Sequence, residues 1–441
     1  MAKHSFDLPL LHGEKEESSV PAVVLKAILP DEPSEQTPGM DPLAEIRSLA
    51  DTAGLRVVGS VTQRRRRLHA ATYVGKGKLE ELQEEITRAG ARIVVVDDSL
   101  SPSQGRNIEE RVGTRVIDRV ELIMDIFALR AKTHEAKLQV ELAQLRYSAS
   151  RLTRMWTHLS RFEGGIGMRG PGETQLETDR RIIRTKIELL KEKLEEIEQQ
   201  RHTQHKGRGE AFRVALVGYT NAGKSTLMRR LTGADVLVEN RLFSTLDTST
   251  RQWSLPVACD VLLSDTVGFI RKLPASLVAS FHATLLETVE ADLLLHVVDG
   301  SSPQIEVELD AVQQTLERLE VADKPRLLLF NKLDVLPDDR RIDLLNVRDH
   351  YPDSLAISAT TGLNLDGTGG LIERVTAIIQ GGEKVHAYSL PHSRGDLIAQ
   401  LRKLGRLEEE TYGDAAVTVR ARLREPERER FESLLAREGL L

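Results

Sequence analysis

The sequence predicts an α/β protein built around one mostly parallel sheet, with a smaller α/β domain carrying a long helical hairpin before it and a small α+β domain after it. Three observations lead there. An apolar run, Phe212-Arg213-Val214-Ala215-Leu216-Val217, enters a glycine loop, Gly218-Tyr219-Thr220-Asn221-Ala222-Gly223-Lys224-Ser225, in the order strand, loop, helix. Three later apolar runs each end in a short polar motif: Asp265-Thr266-Val267-Gly268, Asn331-Lys332-Leu333-Asp334 and Ser358-Ala359. Two segments in the first half carry apolar residues at alternating steps of four and three, the period of a coiled-coil seam.

Taken in order, residues 1–20 mix Glu, Ser, Pro and Lys without period and read as a disordered tail. Residues 21–132 alternate apolar runs with helical segments: strands at 22–29, 55–61, 93–97 and 116–117, and helices near 41–53, near 78–89 and from Pro102. Within this α/β domain, Gly75-Lys76-Gly77-Lys78 opens a helix, but the third glycine of a dinucleotide fingerprint is missing, which favours a structural or RNA-contacting turn. Arg64–Arg67 is a basic run able to meet phosphates. Residues 133–203 follow as a hairpin, with Leu138, Leu142, Leu145, Ala149 and Leu152 on one seam and Ile183, Ile187, Leu190, Leu194 and Ile197 on the other. A first helix over 134–160 would be roughly 40 Å long, too long to hide its stripe against a small domain alone. Between the helices lies Gly164–Gly172, five glycines with Arg161, Arg169, Arg180 and Arg181 nearby, suited to close approach to a phosphate-rich surface. A polar linker at 204–210 leads into the nucleotide domain at 211–380, and residues 381–441 form the α+β C-terminal domain.

The glycine loop carries the chemistry. Glycines let backbone N–H groups close around phosphate oxygens, the helix start adds positive dipole, Lys224 reaches the β- and γ-phosphates, and Ser225 can ligate Mg²⁺, with Thr226 following. By average composition this pattern arises by chance only about once in a hundred chains of this length. In an open parallel sheet ligands bind beyond the carboxyl ends of the strands, so motifs at those ends converge although scattered over about 140 residues. The set resembles a TRAFAC-class GTPase domain. A carboxylate at Asp334 can accept both N1–H and the 2-amino group of guanine, a donor pair adenine lacks, while Asn331 and Lys332 brace the loops. The Ser358-Ala359-Thr360 backbone would meet O6.

Composition adds limits. Sixty-one basic against 67 acidic residues give a net charge of −6, so bulk charge demands no nucleic-acid partner and any RNA contact must be local. The single cysteine, Cys259 in an apolar run, excludes an internal disulfide framework or a cysteine-based zinc site and reads as a buried thiol in a cytoplasmic protein. No run of 18 uncharged apolar residues occurs, so no membrane insertion is expected.

With Tyr73–Lys78, Arg115–Arg119, Thr133–Leu145, Gly164–Arg181 and Asp265–Ile270 added to the nucleotide motifs, nearly the whole chain resembles the HflX family of ribosome-associated GTPases in the Obg–HflX group. The resemblance implies an N-terminal domain that docks on the large (50S) ribosomal subunit, a glycine loop reaching toward its RNA, and separation of stalled or inactive ribosomes. It implies a switch I in Phe243-Ser244-Thr245-Leu246-Asp247, with Thr245 completing the Mg²⁺ shell alongside Ser225 in the GTP state. The proline usual after that aspartate is Thr248 here. Asp265 would hold Mg²⁺ through water and the Gly268 N–H would contact the γ-phosphate, so Lys224, Thr245 and Gly268 are the expected catalytic groups. Asn221 stands where some related GTPases bind K⁺. Where Ras-like enzymes place a water-orienting Gln this chain has Phe269, which predicts slow GTP turnover to GDP until the ribosome assists. Two other readings fit the residues: an ATP-using RNA remodeller and a regulatory GTPase acting through a protein partner. Nothing in the sequence requires an oligomer, and a monomer is expected.

Overall fold

The computed structural model describes residues 19–30, 32, 41–155, 171–206, 211–233, 242–243, 249–257, 260–272, 282–336, 344, 348–413, 416–438 and 440. The predicted tip loop around Gly164, Cys259 and Ser244–Asp247 lie outside them. The chain forms two compact units: one from residues 1–200, 239–247 and 267–285, the other from 201–238, 248–266 and 286–441.

The first unit holds a four-stranded parallel sheet of β1 (Val20–Ile28), β2 (Leu55–Arg64), β3 (Ile93–Val96) and β4 (Arg115–Asp118), in the order β2-β1-β3-β4. Helices α1 (Ala44–Thr52), α2 (Lys76–Ala89) and α3 (Pro102–Val112) connect the strands. Local rules set their ends. Ser101 and Gln104 form a capping box ahead of Pro102, and Gly90 and Gly113 close α2 and α3 in the left-handed region. Val23, Leu25, Val94 and Val96 pack against Leu79, Leu82, Ile108 and Val112 in one core.

The next helix, α4 (Arg119–Arg130), is absent from the sequence reading. Asp118 caps it, and Val120, Leu122, Ile123, Met124, Ile126 and Phe127 are buried along with the charged Arg119 and Asp125, so burial on several faces leaves no apolar period to read. The hairpin follows as α5 (His134–Met155) and α6 (Pro171–Lys206). Leu138, Leu142 and Leu190 form its seam with Leu145, Ile187, Leu194 and Ile197. Helix α6 continues to Lys206, into the stretch read as linker.

The second unit carries the six-stranded sheet, ordered β10 (Leu355–Ala356), β9 (Arg326–Asn331), β8 (Leu293–Asp299), β5 (Phe212–Gly218), β7 (Val261–Asp265) and β6 (Ser249–Gln252). All neighbours are parallel except β6 and β7. Register aligns Leu216 with Asp265, Gly218 with Val297, and Asp299 with Asn331, so the polar motifs lie at one edge, the carboxyl ends of the parallel strands. Helices α7 (Lys224–Thr232), α9 (Ile305–Arg318) and α10 (Leu371–Gly381) belong to this unit, and α8 (His282–Glu290) runs across the boundary at residue 285. The C-terminal part is an antiparallel sheet of β11 (Lys384–Pro391), β13 (Ala416–Leu423) and β12 (Arg406–Tyr412), with α11 (Gly395–Leu404) and α12 (Glu425–Arg437). Leu390, Val417, Val419 and Ala421 meet Leu397, Leu401 and Phe431 in its core.

Candidate nucleotide site

The phosphate loop is fixed by what its glycines cannot lose. Gly218 has φ +150°, and a Cβ there would lie 2.1 Å from the Val297 carbonyl oxygen; Gly223 has φ +96°, and its Cβ would lie 2.3 Å from Asn331 Nδ2. Asn221 also takes a left-handed turn, φ +63°, with its side chain exposed, while Tyr219, Thr220 and Ala222 are buried. Helix α7 begins at Lys224 with no side chain capping it, so its first N–H groups remain for an anion.

Lys224 is 6% exposed, and its ammonium donates to the carbonyls of Gly218 (3.1 Å) and Tyr219 (2.9 Å). Burial lowers its pKa from the usual lysine range to about 8, against the pull of Asp265. Ser225 Oγ donates to Asp265 Oδ2 at 2.6 Å across 40 residues of sequence. A hydroxyl and a buried carboxylate side by side, both hard oxygen donors, fit the chemistry of Mg²⁺. Bound there, the ion would neutralise phosphate charge. Thr226 lines a cavity of about 640 Å³ with Arg229, Arg230, Gly233, Ala359 and Thr360.

Thr266 is fully buried, and its hydroxyl donates to the Leu216 carbonyl (2.7 Å), so it ties the end of β7 to β5. Val267 and Gly268 begin the stretch that groups with the N-terminal unit, where Phe269 is 1% exposed. A buried phenyl ring cannot orient water. Phe243 lies in the same unit, 2% exposed and edge-to-face with Phe127 at 4.7 Å, so its ring is engaged in packing.

At the base end, Asn331 joins two loops: its Nδ2 donates to the Ala222 carbonyl (2.9 Å) and its Oδ1 accepts from the Ala359 N–H (2.9 Å). Asn331 thus bridges the turn at Ala222 and the turn at Ala359. Lys332, at φ +68°, pairs with Asp299 at 2.7 Å, and the Leu333 N–H donates to the Ile357 carbonyl. Ser358 Oγ donates to Asp334 Oδ1 at 2.6 Å, which aims the exposed carboxylate, and Ser358 Oγ also accepts from the Thr361 N–H. Sequence reasoning missed Asp299, Arg229 and Arg230. Asp299 was findable as the acidic end of an apolar run, at the same sheet edge as the other motifs.

Three family models match in succession: a GTP-binding GTPase N-terminal region at 40–128, a GTP-binding GTPase middle region at 130–208, and a 50S ribosome-binding GTPase at 213–332. The GTPase HflX of Escherichia coli K12 is 44% identical over 392 residues, 88% of this chain and 91% of the relative. This chain belongs to the HflX family of GTPases. The HflX of Caldanaerobacter subterraneus is 42% identical over 414 residues, 93% of each chain. Among solved structures, a GTP-binding protein of Sulfolobus solfataricus in complex with GDP is 23% identical, with a TM-score of 0.41, covering 82% of this chain and 99% of that one. Like its HflX relatives the chain is a GTPase, with the P-loop and the α/β sheet that the resemblance implied.

Proposed function

We propose that this HflX-family GTPase binds the 50S subunit and uses GTP binding to separate stalled or inactive ribosomes, with hydrolysis releasing it. The observation that carries the reading is the match of residues 213–332 to a 50S ribosome-binding GTPase, over a site in which Asn331 ties the phosphate loop to the base loop. Lys224 and the start of α7 would hold the β- and γ-phosphates; Ser225, Thr245 and Asp265 would hold Mg²⁺, which supplies charge neutralisation; the Gly268 N–H would contact the γ-phosphate. Phe243 to Asp247 serve as switch I, and Asp334 with Ser358, Ala359 and Thr360 selects guanine. Asn221 is a candidate K⁺ ligand, which a comparison of turnover in K⁺ and Na⁺ tests: equal rates remove it. The N-terminal domain and the glycine loop around residues 164–172 face ribosomal RNA, and the protein acts as a cytoplasmic monomer. Among the described residues no helix is long and apolar enough to cross a membrane.

Light scattering of purified 70S ribosomes tests the reading. With GTP or a non-hydrolysable analogue, the protein should lower scattering as subunits part; with GDP, or after Lys224→Ala, it should not. Scattering that never changes, with 50S binding absent from sedimentation, would overturn the ribosomal part.

A further inference from the structure

A second cavity of the nucleotide-binding unit lies away from the phosphate and base loops. Its walls come from α9, from His296 of β8, from Arg326 and Leu328 of β9, and from the turn 350–354 that leads into β10. The nucleotide motifs end these strands at their carboxyl edge, whereas Arg326 is the first residue of β9 and Ser354 precedes β10, so the cavity sits toward the other end of the sheet. Its volume is about 470 Å³, within the range of small-molecule sites.

Two side chains in its wall are buried and unpaired. His296 is 2% exposed and Ser354 3%, and neither His296 Nε2 nor Ser354 Oγ has a hydrogen-bond partner among the described residues. Buried polar groups are normally paired, because giving up water without a replacement is costly. Both of these orphaned atoms belong to residues of one cavity. Burial, reinforced by Arg326 and Lys224, lowers the His296 pKa to about 3, so the ring is neutral and Nε2 offers one donor or one acceptor. The Ser354 hydroxyl can serve as either. Leu309 and Leu328 add apolar wall, and Tyr351 adds an aromatic one. Local bonds hold this wall in shape. The Ser354 N–H donates to the Tyr351 carbonyl at 2.9 Å, Arg374 Nη1 to the Asp353 carbonyl at 2.8 Å, and Arg326 Nη1 to Gln313 Oε1 at 2.8 Å.

The chemistry of the wall selects its ligand. An ammonium group would face Arg326, and a carboxylate would exchange its hydration for a neutral ring and a hydroxyl in a cavity that Asp310 and Asp353 also line. An uncharged planar group that carries both a donor and an acceptor suits the pair. We propose that this cavity is a second ligand site, taking a small planar molecule with a neutral amide, either a carboxamide or the lactam edge of a nucleobase, whose N–H and C=O pair with His296 and Ser354. It requires neither the ribosomal reading nor the GTP state.

The test uses the full chain loaded with GDP, so that the guanine site is filled, and reads binding by saturation-transfer NMR. The probes are nicotinamide for the carboxamide, uracil for the lactam and nicotinate for a carboxylate of the same shape. Nicotinamide or uracil should bind saturably, with half-saturation at about 1 mM, as expected of so few atoms. The tighter of the two names the source. Nicotinate should bind at least about fivefold more weakly. Ser354→Ala and His296→Leu should each weaken the amide probe about five- to tenfold. Because the Ser354 hydroxyl has no partner to lose, Ser354→Ala should lower the unfolding temperature of the probe-free protein by no more than about 2 °C. Should His296→Leu not fold, Ser354→Ala alone decides. Saturable binding by neither amide, nicotinate binding as tightly as nicotinamide and uracil, affinity within twofold of the parent in Ser354→Ala, or a larger fall in its unfolding temperature would each overturn the site.

Discussion

At the scale of single residues, the titration of Lys224 gives the site a pH signature. Its folded pKa of about 8 lies below the ordinary lysine value, so the free protein loses this charge as pH rises through 8. Phosphate binding requires the charged form, and above pH 8 each binding event must take up a proton. Affinity for GTP should therefore be flat from pH 6.5 to 7.5 and fall about tenfold by pH 9. Titration with a fluorescent GTP analogue checks this, and constant affinity to pH 9 contradicts it. Gly223→Ala makes a second case. Its Cβ would meet Asn331 Nδ2 at 2.3 Å with φ at +96°, which adds strain and disturbs the bond from Asn331 to Ala222. Together these cost on the order of 3 kcal/mol, so GTP affinity should drop roughly a hundredfold while circular dichroism stays unchanged. Most of these residues were legible beforehand because the phosphate and base motifs have fixed local spacing. The tie from Thr266 to Leu216 and the pairing of Lys332 with Asp299 were not, since each depends on strands paired across many residues of chain.

At the scale of elements, β8 carries a buried titratable group in the centre of the second unit's sheet. His296 is 2% exposed, and burial, reinforced by Arg326 and Lys224, lowers its pKa to about 3. The unfolded chain protonates this histidine near 6.5 while the folded one does not, so its contribution to stability is present above 6.5 and is lost as pH falls toward 3. Denaturation should show a loss that steepens below pH 6.5 and approaches about 1.4 kcal/mol per pH unit near pH 5, and His296→Gln should flatten that slope. An unaltered slope in the variant would contradict the assignment. In the hairpin, Leu142 is 4% exposed within the seam, and Leu142→Ala should cost about 2–4 kcal/mol, read as faster amide exchange along α5 and α6. The seam was readable from its four-and-three spacing. Helix α4 was not, because burial on several faces erases the apolar period, and α6 overran the expected linker because Gln204 to Lys206 contain no helix breaker.

At the scale of the whole molecule, the sequence read as successive domains, whereas the compact units interleave: residues 239–247 and 267–285 group with the N-terminal unit. Pairs such as Glu45 with Arg271, 226 residues apart, leave no local pattern, and only the folded chain brings them together. If the large subunit completes a site that has Phe at position 269 in place of a water-orienting side chain, GTP turnover by the isolated chain is slow. The most direct measurement is hydrolysis of GTP and ATP with and without purified 50S subunits. The expected result is slow GTP hydrolysis alone, at least tenfold stimulation by 50S, and no comparable ATP turnover. Equal GTP rates with and without 50S, or ATP hydrolysis that survives Lys224→Ala, would contradict it.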